Sequence, residues 1–140
     1  QPLPIGGASV FYPAVVRETN GEQKTVHIVR TGTDGVVSHA SYTDGLWSPW
    51  LSLGISSNEK PTLFSTNGER WLAIRGVDNA IYVKRLGEDA GFSALGGVAV
   101  SAPHLKIVNQ QLRVVMFGLD GKVYGRTWNG SGWSPWQVEL

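Results

Sequence analysis

Tryptophan is the residue type in this sequence best suited to recognition chemistry. Trp47-Ser48-Pro49-Trp50 recurs as Trp133-Ser134-Pro135-Trp136, 86 residues later. An exposed indole offers a flat, polarizable face to the C–H side of a sugar ring, and its N–H is free to donate. Side chains alternate across a strand, so indoles three apart point to opposite faces and one of each pair should pack inward. Trp50 and Trp136, embedded in a strand, are the expected core members. Trp47 and Trp133, nearer the loop, are open to either role. Tyr42 and Trp128 stand at equivalent places where another part of the chain has Leu86, a set that favours packing but leaves both as binding candidates. Tyr82 and Tyr124 match each other and combine a stacking face with a hydroxyl, with Ser38 at the remaining equivalent position. Arg75 and Arg126 are the best polar candidates, because a planar guanidinium can bridge neighbouring sugar hydroxyls. Each is equally readable as a solvated strand residue.

Catalysis finds little support. Asp34, Asp78 and Asp120 are the carboxylates that draw attention, and glycoside hydrolysis needs two of them about 5–9.5 Å apart. These three instead recur at one equivalent turn, where Asp stabilises the turn locally. His27, His39 and His104 lack metal-ligand spacing, and there is no D-x-D-x-D-G run. His39 follows the first turn on a strand and is expected to be exposed. The absence of cysteine excludes disulfides, thiolate metal sites and Cys nucleophiles. Neither a G-x-S-x-G elbow nor a phosphate-cradling G-x-G-x-x-G occurs. Asn129-Gly130-Ser131 fits a glycosylation acceptor, yet a hairpin turn accounts for it. No catalytic residue, metal or cofactor is expected.

The elements that must position these side chains follow from composition and repetition. At 140 residues the chain has the length of one ordinary domain. With 41% hydrophobic and 16% charged residues it is too apolar for a disordered segment. A net charge of +1, with no basic run longer than Lys84-Arg85, argues against a nucleic-acid or membrane-surface binder. No apolar stretch approaches the roughly 18 residues that span a bilayer. No segment resembles a signal peptide, and the start at Gln1 suggests a mature or trimmed form. Eighteen Gly, seven Pro and six Trp lean toward a short-stranded all-β fold.

Self-similarity makes that fold specific. Asp34-Gly35, Asp78-Asn79 and Asp120-Gly121 mark one turn three times, and Pro13, Pro61 and Pro103 mark a second register. Three units result, over residues 8–54, 55–97 and 98–140. Each reads as four short strands separated by Asp-Gly or Asn-Gly pairs, which supply the positive φ of tight hairpins. The second unit departs by ending in Phe92-Ser93-Ala94-Leu95 where its neighbours carry the double Trp, so the clefts of the first and third units should be better formed. Helical periodicity is absent. Four strands at a period near 42 residues is the pattern of a β-propeller blade, here three to a chain. The tail Trp136–Leu140 stops just before a linker, and the head Pro4–Pro13 reads as that linker. A head-to-tail homodimer closing a six-bladed ring is therefore expected, with a fragment of a longer propeller as the rival.

The repeat also resembles that of a known family. The turn Asp-Gly/Asn, then Val or Ile with Ser or Tyr, then Asp/Asn-Gly, Trp-Ser-Pro-Trp and a Leu-Gly ending is similar to the repeat of the Photorhabdus lectin family, over nearly all 140 residues. That resemblance implies a propeller lectin, acting outside the cell or at its surface, that binds fucose-type or O-methylated sugars in clefts between blades. The family's Arg three residues before the turn aspartate is present as Arg75 and replaced by Thr31 and Phe117. Two readings follow: a multivalent lectin with shallow sites that gain strength together, or a non-catalytic propeller that binds a protein partner.

Overall fold

Turn chemistry divides the chain before packing does. The computed structural model describes residues 12–87 and 91–139, and among them thirteen strands form three antiparallel sheets. The first sheet holds β1 (Ala14–Asn20), β2 (Gln23–Thr31), β3 (Val36–Thr43), β4 (Leu46–Trp47) and β5 (Leu51–Ser56). The second holds β6 (Thr62–Thr66), β7 (Glu69–Arg75), β8 (Ile81–Arg85) and β9 (Ser93–Gly96). The third holds β10 (His104–Val108), β11 (Gln111–Phe117), β12 (Val123–Thr127) and β13 (Gln137–Val138). Every neighbouring pair is antiparallel.

The turns between second and third strands are built alike. Oδ1 of Asp34, Asp78 and Asp120 accepts the backbone N–H two residues on, at 3.0, 3.1 and 3.0 Å. This local bond is why aspartate recurs there. Asn67-Gly68 and Asp44-Gly45 close hairpins with positive φ at both residues, and Asn109-Gln110 does so without glycine. The outermost strand of the first sheet is split, since β4 pairs with the end of β3 and β5 with its beginning. The third sheet repeats the first part of that arrangement as a bridge between Trp128 and Trp133.

Burial shows how the sheets stack. Leu72 and Ile74 of β7 pack with Val29 and Val37 of the first sheet, while Trp71 and Ala73 of the same strand pack with Leu112, Val114 and Met116 of the third. Strand β7 is thus buried on both faces, and the middle sheet is sandwiched between two seams. The first strands β1, β6 and β10 lie side by side, so each sheet begins at a common axis. Pro13, Pro61 and Pro103, which precede those strands, line one cleft at the end of that axis. Linkers stitch each sheet to the next: Ser57 bridges to Gly76, and Ala99 to Gly118. These are three consecutive blades of a β-propeller, as the repeats lead one to expect. The linker read over Pro4–Pro13 lies outside the described residues except for Tyr12 and Pro13, as does the tail residue Leu140.

Candidate functional site

The seam between the second and third sheets opens at one end into a cleft of about 260 Å³. Its wall is aromatic. Trp71 of β7 and Trp128 at the end of β12 line it, and Trp133, from the loop that bridges back to Trp128, packs against both. Trp71 meets Trp128 at 5.4 Å between ring centroids and Trp133 at 5.9 Å, edge to face in both cases. Trp128 and Trp133 lie 5.4 Å apart. Antiparallel register sets Arg85 of β8 directly opposite Trp71. Its guanidinium sits 5.1 Å from the Trp71 ring and 5.6 Å from the Trp128 ring, a cation–π arrangement, and Nη1 donates to Glu69 Oε2 at 2.5 Å. Asn67, Gln110, Gln111 and Asn129 complete the rim with amide groups.

This set can grip a polyol. Indole faces accept the C–H side of a ring, and the Arg85–Glu69 pair presents donors and an acceptor to adjacent hydroxyls. Among the described residues lining the cleft, Glu69 is the one carboxylate, whereas glycoside hydrolysis requires two. Among the described residues, no three His, Asp or Glu side chains gather in a way that could hold a metal.

The structure distributes the other candidates differently. Tyr42 and Trp47 pair at 5.0 Å on the face of the first sheet that points away from the second. Arg75 is fully engaged in joining linkers to the second sheet. Nε donates to Ala99 O at 2.9 Å, Nη1 to Glu59 Oε1 at 3.0 Å and Nη2 to Asn79 Oδ1 at 2.8 Å. Arg126 crosses the seam, donating to Leu95 O at 2.6 Å and to Ser134 O at 2.5 Å. Trp136, 5.7 Å from the Arg126 guanidinium, donates its indole N–H to the same Leu95 carbonyl at 2.8 Å. Burial lowers the pKa of Arg126 from its ordinary value. Both arginines hold sheets together.

The two matching tyrosines are also occupied. Tyr82 donates its hydroxyl to Asp78 Oδ2 at 2.6 Å, and Tyr124 does the same to Asp120. These bonds hold both carboxyls below the usual range and push both phenols up. Gly76 and Gly118 lie beneath them, where a Cβ would come within 2.8 and 2.9 Å of ring and carboxylate atoms. Tyr124 additionally lines an apolar recess with Met116 and Trp136.

His39 departs from its expected exposure. It shares the inward face of β3 with Val37, its ring stacks on His27 at 5.2 Å, and His27 Nδ1 and His39 Nε2 are 3.0 Å apart. Glu18 continues the chain to His27 Nε2 at 2.8 Å and to Arg70 of the second sheet at 3.2 Å. Burial first, then the charges of His27, Arg70 and Lys84, lower the His39 pKa to about 4. These polar groups fill the seam between the first two sheets at the level where the second seam carries its indoles.

Of the residues in and around this cleft, sequence reasoning singles out Trp128 and Trp133 as candidates and passes over Trp71, Arg85 and Glu69. The available signal was the pairing of β7 with β8, which sets Trp71 against Arg85, once the Asp78-Asn79 turn fixes the register.

No protein-family model matches the chain, and no curated protein matches it in sequence. Solved structures match in fold. A fucose lectin from Kordia zhangzhouensis in complex with methyl-fucoside aligns with a TM-score of 0.64 at 16% identity, covering 91% of this chain and 98% of that one. A mutant of Aleuria aurantia lectin in complex with alpha-methyl-L-fucoside gives 0.63 at 18% identity, covering 97% of this chain and 48% of that one. The fucose-specific lectin from Aleuria aurantia in an Hg-derivative form gives the same values. The chain spans about half the length of the Aleuria lectin and nearly all of the Kordia one, and it shares their β-propeller fold.

Proposed function

We propose that the chain is a carbohydrate-binding lectin whose best-formed site is the cleft between the second and third blades. The observation that carries this reading is that Trp71 and Trp128 line the cleft beside Glu69, with the Arg85 guanidinium over both rings and bound to Glu69. A stacking wall beside a paired donor and acceptor suits a pyranose with vicinal hydroxyls. Fucose-type sugars are the first ligands to try, because the Kordia and Aleuria proteins are fucose lectins and the repeat resembles that of the Photorhabdus lectins. Each unit makes one blade, and the first runs on to the end of β5 at Ser56, two residues past the boundary expected at 54. Two copies joined head to tail would make six, within the usual range of about 4–8 blades.

A glycan array carrying fucosylated, galactosylated and O-methylated sugars tests the reading. Binding to a subset of them, competed by the free monosaccharide, is the expected result. Uniform silence would favour the other class, a propeller that binds a protein partner.

A further inference from the structure

The seam between the first two blades is charged where its counterpart carries indoles. His27 of β2 and His39 of β3 face the second blade, their rings stacked and His27 Nδ1 3.0 Å from His39 Nε2. Glu18 from β1, Arg70 from β7 and Lys84 from β8 are the charged side chains that face the pair among the described residues. Counting protons along this line shows what it tolerates. With both rings neutral, His27 Nε2–H donates to Glu18 Oε1 at 2.8 Å, and His39 Nε2–H donates to the lone pair on His27 Nδ1. One added proton is accommodated: His27 then donates from both nitrogens, and His39 changes tautomer to accept. A second leaves two N–H groups aimed at each other across 3.0 Å. It also sets His27, His39, Arg70 and Lys84, all positive, against the one carboxylate of Glu18, around a His27 that is only 9% exposed.

The second blade carries any movement of this cluster to the cleft. Arg70 Nη1 stands 3.2 Å from Glu18 Oε2 and donates to Gly68 O at 3.1 Å, so one nitrogen ties the first blade to the Asn67-Gly68 turn. Asn67 and Glu69, on either side of Gly68, line the cleft. Strand alternation puts Trp71 and Arg85, the neighbours of Arg70 and Lys84, on the cleft face, directly opposite each other. We propose that the His27–His39 pair is a proton-operated latch. While it holds at most one proton, the first two blades stay joined and the cleft keeps its shape; when both rings are protonated, the seam parts and the cleft loosens. Its bearing on sugar binding rests on the lectin reading above. Burial first, then the charges of His27, Arg70 and Lys84, lower the His39 pKa to about 4, whereas a histidine released to water titrates near 6.5. The open seam therefore holds more protons than the closed one, and falling pH drives the opening between those two values.

An NMR titration of the whole chain from pH 7.5 to 4.5, with methyl fucoside affinity measured at the same points, tests this. The Trp71 indole N–H and the Asn67 and Gly68 amides should shift reversibly with the midpoint of the His39 ring, and affinity should fall about tenfold over the same interval. His39→Gln keeps a hydrogen-bonding amide beside His27 but cannot take the second proton. It should bind as wild type does at pH 7.5 and lose little affinity at pH 4.5. Should that variant not fold, His27→Gln removes the facing ring instead and carries the same expectation. Glu18→Gln removes the one anion that faces the pair among the described residues, so its transition should move to higher pH. Cleft resonances that do not follow His39, or that shift equally in His39→Gln, overturn the latch, as does an affinity that stays constant while the seam opens. Linked shifts without binding of methyl fucoside at pH 7.5 support the latch and count against the lectin reading alone.

Discussion

The indoles of Trp71 and Trp128 meet edge to face, 5.4 Å apart, although one belongs to the second blade and the other to the third. Such a pair contributes about 0.5–1.5 kcal/mol beyond the area it buries. It therefore ties two blades together while its outer edge, capped by Arg85, is presented at the cleft. Packing and recognition share the same rings, and substitutions should separate the two roles.

Arg85→Ala should weaken glycan affinity at the internal cleft at least tenfold with almost no change in melting temperature. The Arg85–Glu69 pair is about one-third exposed, and such surface pairs contribute about 0–1 kcal/mol. Calorimetry and a thermal melt on the same sample check this. Unchanged affinity would remove the pair from the site.

Trp133→Ala should lower both affinity and stability. The ring packs against the buried cluster yet remains half-exposed, so the loss is smaller than for a fully buried indole, about 2 kcal/mol or a fall in Tm of about 6 °C. Trp133→Phe should recover most of the stability. A folded, fully stable alanine variant would show that the indole does not belong to the seam.

Arg75→Ala should behave oppositely. Its three donors bind the Ala99 carbonyl, Glu59 and Asn79, none of which lies in the cleft. Their loss costs about 2–3 kcal/mol. Affinity of the folded fraction should not change, and a calorimetric titration below the melting transition reads it. Lost binding at full stability would return Arg75 to the site.

Acidification should destabilise the seam between the first two blades. His39 is lowered to about 4 by burial, with the charges of His27, Arg70 and Lys84 adding to the effect, whereas an unfolded histidine titrates near pH 6.5. The unfolded chain therefore takes up a proton before the folded one. The stability that His39 contributes is complete above about pH 6.5 and is lost as the pH falls toward 4. Glu18 and Arg70 complete the group that faces this pair. Thermal melts between pH 7.5 and 4 should show a decline that His39→Gln reduces. A decline of equal size in that variant would assign the effect elsewhere.

What was legible in the sequence was what local chemistry decides. The turn aspartates bond to backbone two residues away, so Asp34, Asp78 and Asp120 announced three blades, and Tyr82 and Tyr124 could be matched by their distance from those turns. Trp71 stayed hidden because β7 is buried on both faces, which erases the alternation that marks a half-exposed strand. Arg75 and Arg126 looked available because their acceptors, Ala99 and Leu95, lie 24 and 31 residues away on neighbouring segments. His39 looked exposed for a similar reason: the blade that covers it comes later in the chain.

Gly97 illustrates what the linkers decide. It runs at φ 79°, and a Cβ there would come within 2.6 Å of Met116. Neighbouring blades of a propeller must each turn by a set angle around the axis, and the linkers fix that angle. A methyl group at this corner would be strained at that φ and would press the flexible end of Met116 aside, loosening the linker that seats the third blade on the second.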